Sequence, residues 1–363
     1  MSRLTLCLLS IFLLLSACKT ENKSVAFPYS FELVKTEVVS HFRGSSSPSE
    51  KVCWISGSNG TILKTTDGGN TWKKLVIPSN YKLDLRDIEA FDEDNAVAMG
   101  VGSPAKIFKT EDGGKTWLLT YSNDHPDIFL DGIAFFNKNE GLAFGDAIDN
   151  KIIILKTYDA GKSWSLLPEL RLPDAIEKEG GFAASGTSII THGESEAYIG
   201  LGSPRGRLIY SHDKGENWDF YLTGLGNGDE NRGVYSIDID KNGNGIVVGG
   251  DWEKKDNHNL VAATSHDKGL HWEISTKNPP NGYRSAVKFI PNTEWVITTG
   301  PNGTDYSNDK GIHWKSAKTG GANTITFSPN GKLGWLAGND GRIIKVYLED
   351  RTSGDESAED KKE

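Results

Sequence analysis

Along most of the chain, short apolar runs follow one another in a fixed order between polar turns. An alternating run comes first, as in LRDIEAFD or YRSAVKFI, and a more apolar run ending in Gly follows, as in NAVAMGVG or GIVVGG. A third run leads into a polar turn, as in TILKTT, and a fourth opens on Trp, as in WKKLVI or WDFYLT. Period-two alternation over four to eight residues, bounded by Gly, Asn, Asp and Ser, predicts β-strands, and four in succession predict a meander sheet.

The polar turn is the clearest repeat. It reads KTTDGGNTW, KTEDGGKTW, KTYDAGKSW, YSHDKGENW, TSHDKGLHW and YSNDKGIHW, centred on Asp67, Asp112, Asp159, Asp213, Asp267 and Asp309. Successive Asp residues lie 45, 47, 54, 54 and 42 positions apart, which is the period of a propeller blade. The Asp can accept turn amides, the Gly can take positive φ, and the Trp can bury its ring while its indole N–H finds a polar partner. With one Asp per blade the six cannot converge on a metal, so they are expected to be structural Asp-box residues.

The chain ends set the blade count. After the sixth Trp, NTITFSPNGKLGWLAGNDGRIIKVYLE supplies three more strands and no fourth. Near the start, Phe31-Glu32-Leu33-Val34-Lys35 copies the Trp-led fourth strand. Letting it complete the last sheet gives an all-β, seven-bladed propeller over residues 30–349, a single domain whose closure leaves no free sheet edge. Residues 167–182 are one sizeable insertion between the third and fourth blades, and 350–363 read as a charged, disordered tail.

Residues 1–17 read as a leader: Arg3, an apolar run from Leu4 to Leu15, and the ending Leu15-Ser16-Ala17-Cys18. That ending resembles a lipoprotein signal, with Cys18 as the lipidated residue and 18–29 as a tether. Lys19 after the Cys implies outer-membrane delivery if the host has two membranes. Cys53, in the apolar run VCWISG, is left without a disulfide partner and is expected to be buried. The formal charge of −9, falling to −10 once Arg3 leaves, repels phosphate backbones and argues against nucleic acid. A monomer held to the envelope by its anchor is the expected state.

The run FRGSSSPSEKVCWISGSNGTILKTTDGGNTW, with RDIEAFD, GYRSAV and AGNDGRI, resembles the photosystem II stability/assembly factor family over nearly the whole mature chain. The resemblance implies a seven-bladed propeller, exported or lumenal, that binds newly made membrane protein and pigment and is not an enzyme. It also implies an arginine-rich patch. No nucleotide-binding glycine fingerprint, Cys-x-x-Cys or haem-attachment motif occurs, so no cofactor is expected.

Meander geometry puts the Asp turns on one face, and the starts of first strands and the second-to-third turns on the other. The strand starts carry Arg43, Arg86, Asp131, Arg232 and Arg284; the turns carry Asn59, Asp146, Asp251, Asn302 and Asn339. Four Arg residues around an open, shallow channel mouth would attract a protein or an anionic ligand of unknown identity. Inter-blade pairing is the competing use of the same guanidiniums. A calcium-loop-like run, Asp240-Lys241-Asn242-Gly243-Asn244-Gly245 with Asp251, reads instead as a hairpin turn, so no metal site is expected. The rival functional class is a sialidase-like glycoside hydrolase, with Arg43, Arg232, Arg284, Tyr283, Asp131 and Asp251 supplying part of a site. It requires a deep pocket holding a carboxylate pair or a Tyr–Glu pair.

Overall fold

The computed structural model describes residues 26–78, 83–226 and 228–349. The leader, Cys18 and the tail 350–363 lie outside the described residues. Seven four-stranded antiparallel sheets form a propeller. Six are sequential meanders, starting at Phe42, Asp84, Leu130, Ile189, Val234 and Ala286. The seventh takes three strands from Thr324–Leu348 and its outer strand from Tyr29–Val34. Phe31 pairs with Val346 and Tyr29 with Leu348 in that closure. Packing begins three residues before the expected start at 30, at Phe27, which stacks on Tyr306 at 4.3 Å and meets Trp295 edge-on.

Apolar layers between neighbouring blades form the core, such as Trp54, Ile62, Leu85 and Ile88 between blades one and two. Cys53 is fully buried in the layer between blades seven and one. The six Asp turns share one geometry. Thr65 Oγ1 donates to Asp67 Oδ1 at 2.8 Å, and the amide four residues beyond the Asp donates to it in every copy, at 2.9 to 3.0 Å. The hydroxyls of Thr71 and Thr116, with their amides, hold Asp67 and Asp112 down at about 2. The Trp residues differ from expectation. Of the six turn Trp residues, only Trp272 and Trp314 donate to a carbonyl, that of the turn Gly, at 2.8 Å. Trp72, Trp117, Trp164 and Trp218 leave the indole N–H without a hydrogen-bond acceptor. Three of these four meet another aromatic ring, Trp335, Trp54 or Phe135, close to perpendicular. The Asp240 carboxylate accepts the Asn242 and Asn244 amides, and the next residues form the strand Gly245–Gly249, so that run is a hairpin turn.

Candidate functional site

The innermost strand of four blades carries a register shift at the same place: Phe42/Gly44, Leu85/Asp87, Leu130/Gly132 and Val234/Ser236. A bulge adds one residue to the strand and turns that side chain away from the alternating pattern. The residues so turned are Arg43, Arg86, Asp131 and Tyr235. Three of the expected site residues therefore owe their place to a local backbone device. In blade five that position belongs to Tyr235, which sequence reasoning missed, and not to Arg232.

The mouth these residues surround is closed, contrary to expectation. The insertion extends beyond 182, and residues 179–187 cross the channel as a strap. Arg43 Nη1 donates to Ala184 O at 3.5 Å and Arg86 Nη1 to Ala183 O at 2.9 Å. Thr324 Oγ1 of blade seven donates to Ser185 O at 2.8 Å. The Phe182 ring lies flat on Tyr235, with centroids 3.7 Å apart, and Tyr283 of blade six meets Tyr235 edge-on. The Gly202 amide of blade four donates to Gly180 O, and the Gly181 amide to Asp146 of blade three. Six blades thus bond to or stack on the strap, and blade six joins it through Tyr283, clustered with Ala184, Phe182 and Tyr235. Buried carboxylates crowd the strap backbone and favour glycine here: Gly186 has φ +73, and a Cβ on it or on Gly181 would collide with the Asp87 or Asp131 side chain.

The other expected residues are drawn inward. Arg284 sits one position before the bulge site, is 1% exposed, and pairs with the buried Asp305 while donating to Asn302 Oδ1 and Tyr283 O at 2.8 Å. Arg232 is buried and donates to Asn259 O at 2.8 Å. Asp251 is buried beside Lys254 at 3.1 Å. Asn339 Oδ1 accepts from Asn323, and Asn59 has φ +57 in its turn. The four guanidiniums do not form one ring at the surface. Arg43 and Arg86 stand together, and Arg232 and Arg284 are committed to neighbouring loops and strands.

Electrostatics follow from this crowding. Burial, and then the Arg86 charge, lower Arg43 below the usual guanidinium value. Burial, and then the adjoining Asp146 carboxyl, push Asp131 well above the carboxylate range, and burial raises Asp146 as well. This carboxyl pair lies against the Gly180–Gly181 backbone, with Asp131 fully buried and Asp146 half-buried. Deeper in the channel, first strands present Glu89, Asp238 and Lys288. Lys288 Nζ bonds Asp238 Oδ1 at 2.8 Å, and its charge also acts on Glu89 across the axis. Burial nevertheless raises Glu89 to about 7. Among the described residues no cluster of three or more His, Cys, Asp or Glu could hold a metal.

Known proteins share this architecture. YCF48 bound to D1 peptide is 18% identical, with 90% of this chain and 98% of that one covered at a TM-score of 0.63. YCF48 from Cyanidioschyzon merolae is 17% identical over 87% and 98%, at 0.60. The GH74 xyloglucanase from Xanthomonas campestris is 14% identical over 90% of this chain and 55% of its own, at 0.64. At these identities the likenesses show the fold alone. No protein of curated function matches the sequence. The family described as photosynthesis system II assembly factor YCF48 matches residues 26–347, nearly the whole propeller, and the chain belongs to that family.

Proposed function

We propose that this protein is a non-enzymatic binding module, anchored through Cys18 to the cell envelope, that holds a segment of a partner protein on its arginine-bearing face. Family membership carries the reading, supported by a fold relative that binds a peptide. The bulged Arg43 and Arg86 support it too, since both guanidiniums already hold main-chain carbonyls. A glycoside hydrolase would need its carboxyl pair open to a sugar, whereas Asp131 is fully buried against Gly181.

The test is in-cell crosslinking and affinity capture from envelopes. A specific protein partner is expected with the wild type and is expected to be lost with Arg43→Ala/Arg86→Ala, with circular dichroism showing that the variant keeps its β-sheet fold. Recovery of nothing beyond what an unrelated lipoprotein recovers would overturn the reading. Cys18→Ser is expected to move the protein from the membrane fraction to the soluble one, and its staying behind would remove the anchor from the proposal.

A further inference from the structure

The strap has the form of a bound peptide. Three successive carbonyls, of Ala183, Ala184 and Ser185, accept from Arg86, Arg43 and Thr324, which belong to three different blades. These donors recognise main chain, so any segment that takes the same turn at Ala183–Ala184 can satisfy them. Side-chain selection comes from two places. Phe182 stacks on Tyr235, and Ala183 and Ala184 are buried, Ala184 against the Tyr235–Tyr283 cluster. Gly180-Gly181 and Gly186 flank the segment and give it points at which to swing out.

We propose that residues 182–185 are a resident pseudo-ligand in a peptide seat, and that the partner segment binds by displacing them. This rests on the protein-binding reading above and adds the partner's chemistry: a segment with an aromatic residue followed by two small ones, able to take the tight turn that the Ala184 amide closes on Phe182 O at 2.8 Å. Exchange of one such stretch for another conserves every carbonyl bond and the aromatic stack. Because the strap competes from within the same chain, its effective concentration sets a threshold that a free peptide must exceed. Binding is therefore weak until the strap is loosened.

The probe is a capped peptide, Gly-Gly-Phe-Ala-Ala-Ser-Gly, titrated by calorimetry into the full mature chain. Phe182→Ala removes the stacking ring and leaves the backbone. Gly181→Val/Gly186→Val drives the strap off through collision with Asp131 and Asp87. Either variant is expected to bind the peptide at least tenfold more tightly than the wild type, and Tyr235→Ala added to it is expected to abolish the gain. A peptide with Ala in place of Phe is expected not to bind. If Phe182→Ala folds and binds the peptide no better than the wild type, the strap is a permanent plug and the proposal fails. Should the glycine variant not fold, Phe182→Ala alone decides. The outcome is separable from the broader reading: envelope capture without peptide binding sinks only the seat, and peptide binding without any envelope partner sinks only the binding-module role.

Discussion

Arg284 shows how a charged residue on an exposed-looking loop becomes interior scaffolding. Its guanidinium is spent on Asp305, Asn302 and its own neighbour's carbonyl. Removing one partner of such a pair leaves the other buried and uncompensated, a loss of about 3–5 kcal/mol. Arg284→Ala is expected to destabilise by that amount in urea unfolding, and adding Asp305→Asn is expected to restore part of it. Glu89 gives a pH signature. Its acid form persists in the fold to about 7, against 4.5 for an ordinary glutamate. The folded state therefore binds the extra proton, and this group's stabilisation is present below pH 4.5 and is lost as pH rises through 7. Glu89→Gln is expected to flatten the melting-temperature profile between those values, partly offset because Lys288 loses one of its two carboxylate neighbours. A profile parallel to that of the wild type would show that Glu89 does not titrate there.

At the scale of elements, the sheets were written plainly in the chain. Six Asp turns and Trp-led strands fix six meanders, and Phe31 in the Trp position marks the strand that closes the seventh. Deleting residues 29–34 would strip the strand Ile343–Leu348 of its outer partner and expose an apolar edge. Such a chain is expected to elute as oligomers in size-exclusion chromatography and to melt at a lower temperature, whereas an intact monomer would mean the outer strand is dispensable. What the sequence concealed lies in departures from alternation. A bulge looks like any other residue in a strand, so Arg86 and Tyr235 share a structural position that their spacing from the Asp turns does not reveal. Arg284, one residue out of step, resembles Arg86 in sequence and differs from it in every contact. Asp305 hides in GTDYS as an ordinary polar alternation, although its side chain is buried.

For the whole molecule, the decisive unread feature was the insertion. Its length was visible, but its path was not, because crossing the axis depends on carbonyls meeting side chains from blades far apart in the chain. The glycines in GGFAASG were the available signal. A hub touching every blade couples them, so calorimetric unfolding is expected to be a single transition with matching calorimetric and van't Hoff enthalpies. Two separated peaks would show that the blades melt in groups and that the strap does not unite them.

The antiparallel pairing of Tyr29 with Leu348 has a directional result. The chain enters at the rim of blade seven on the side of the Asp turns, and Glu349 leaves beside it, its amide bonded to Pro28 O. If Cys18 carries lipid, the eleven peptide units to Tyr29 can reach no more than about 40 Å. The disc would then hang from its Asp-turn side, presenting the strap and its two arginines outward from the bilayer to which it is leashed.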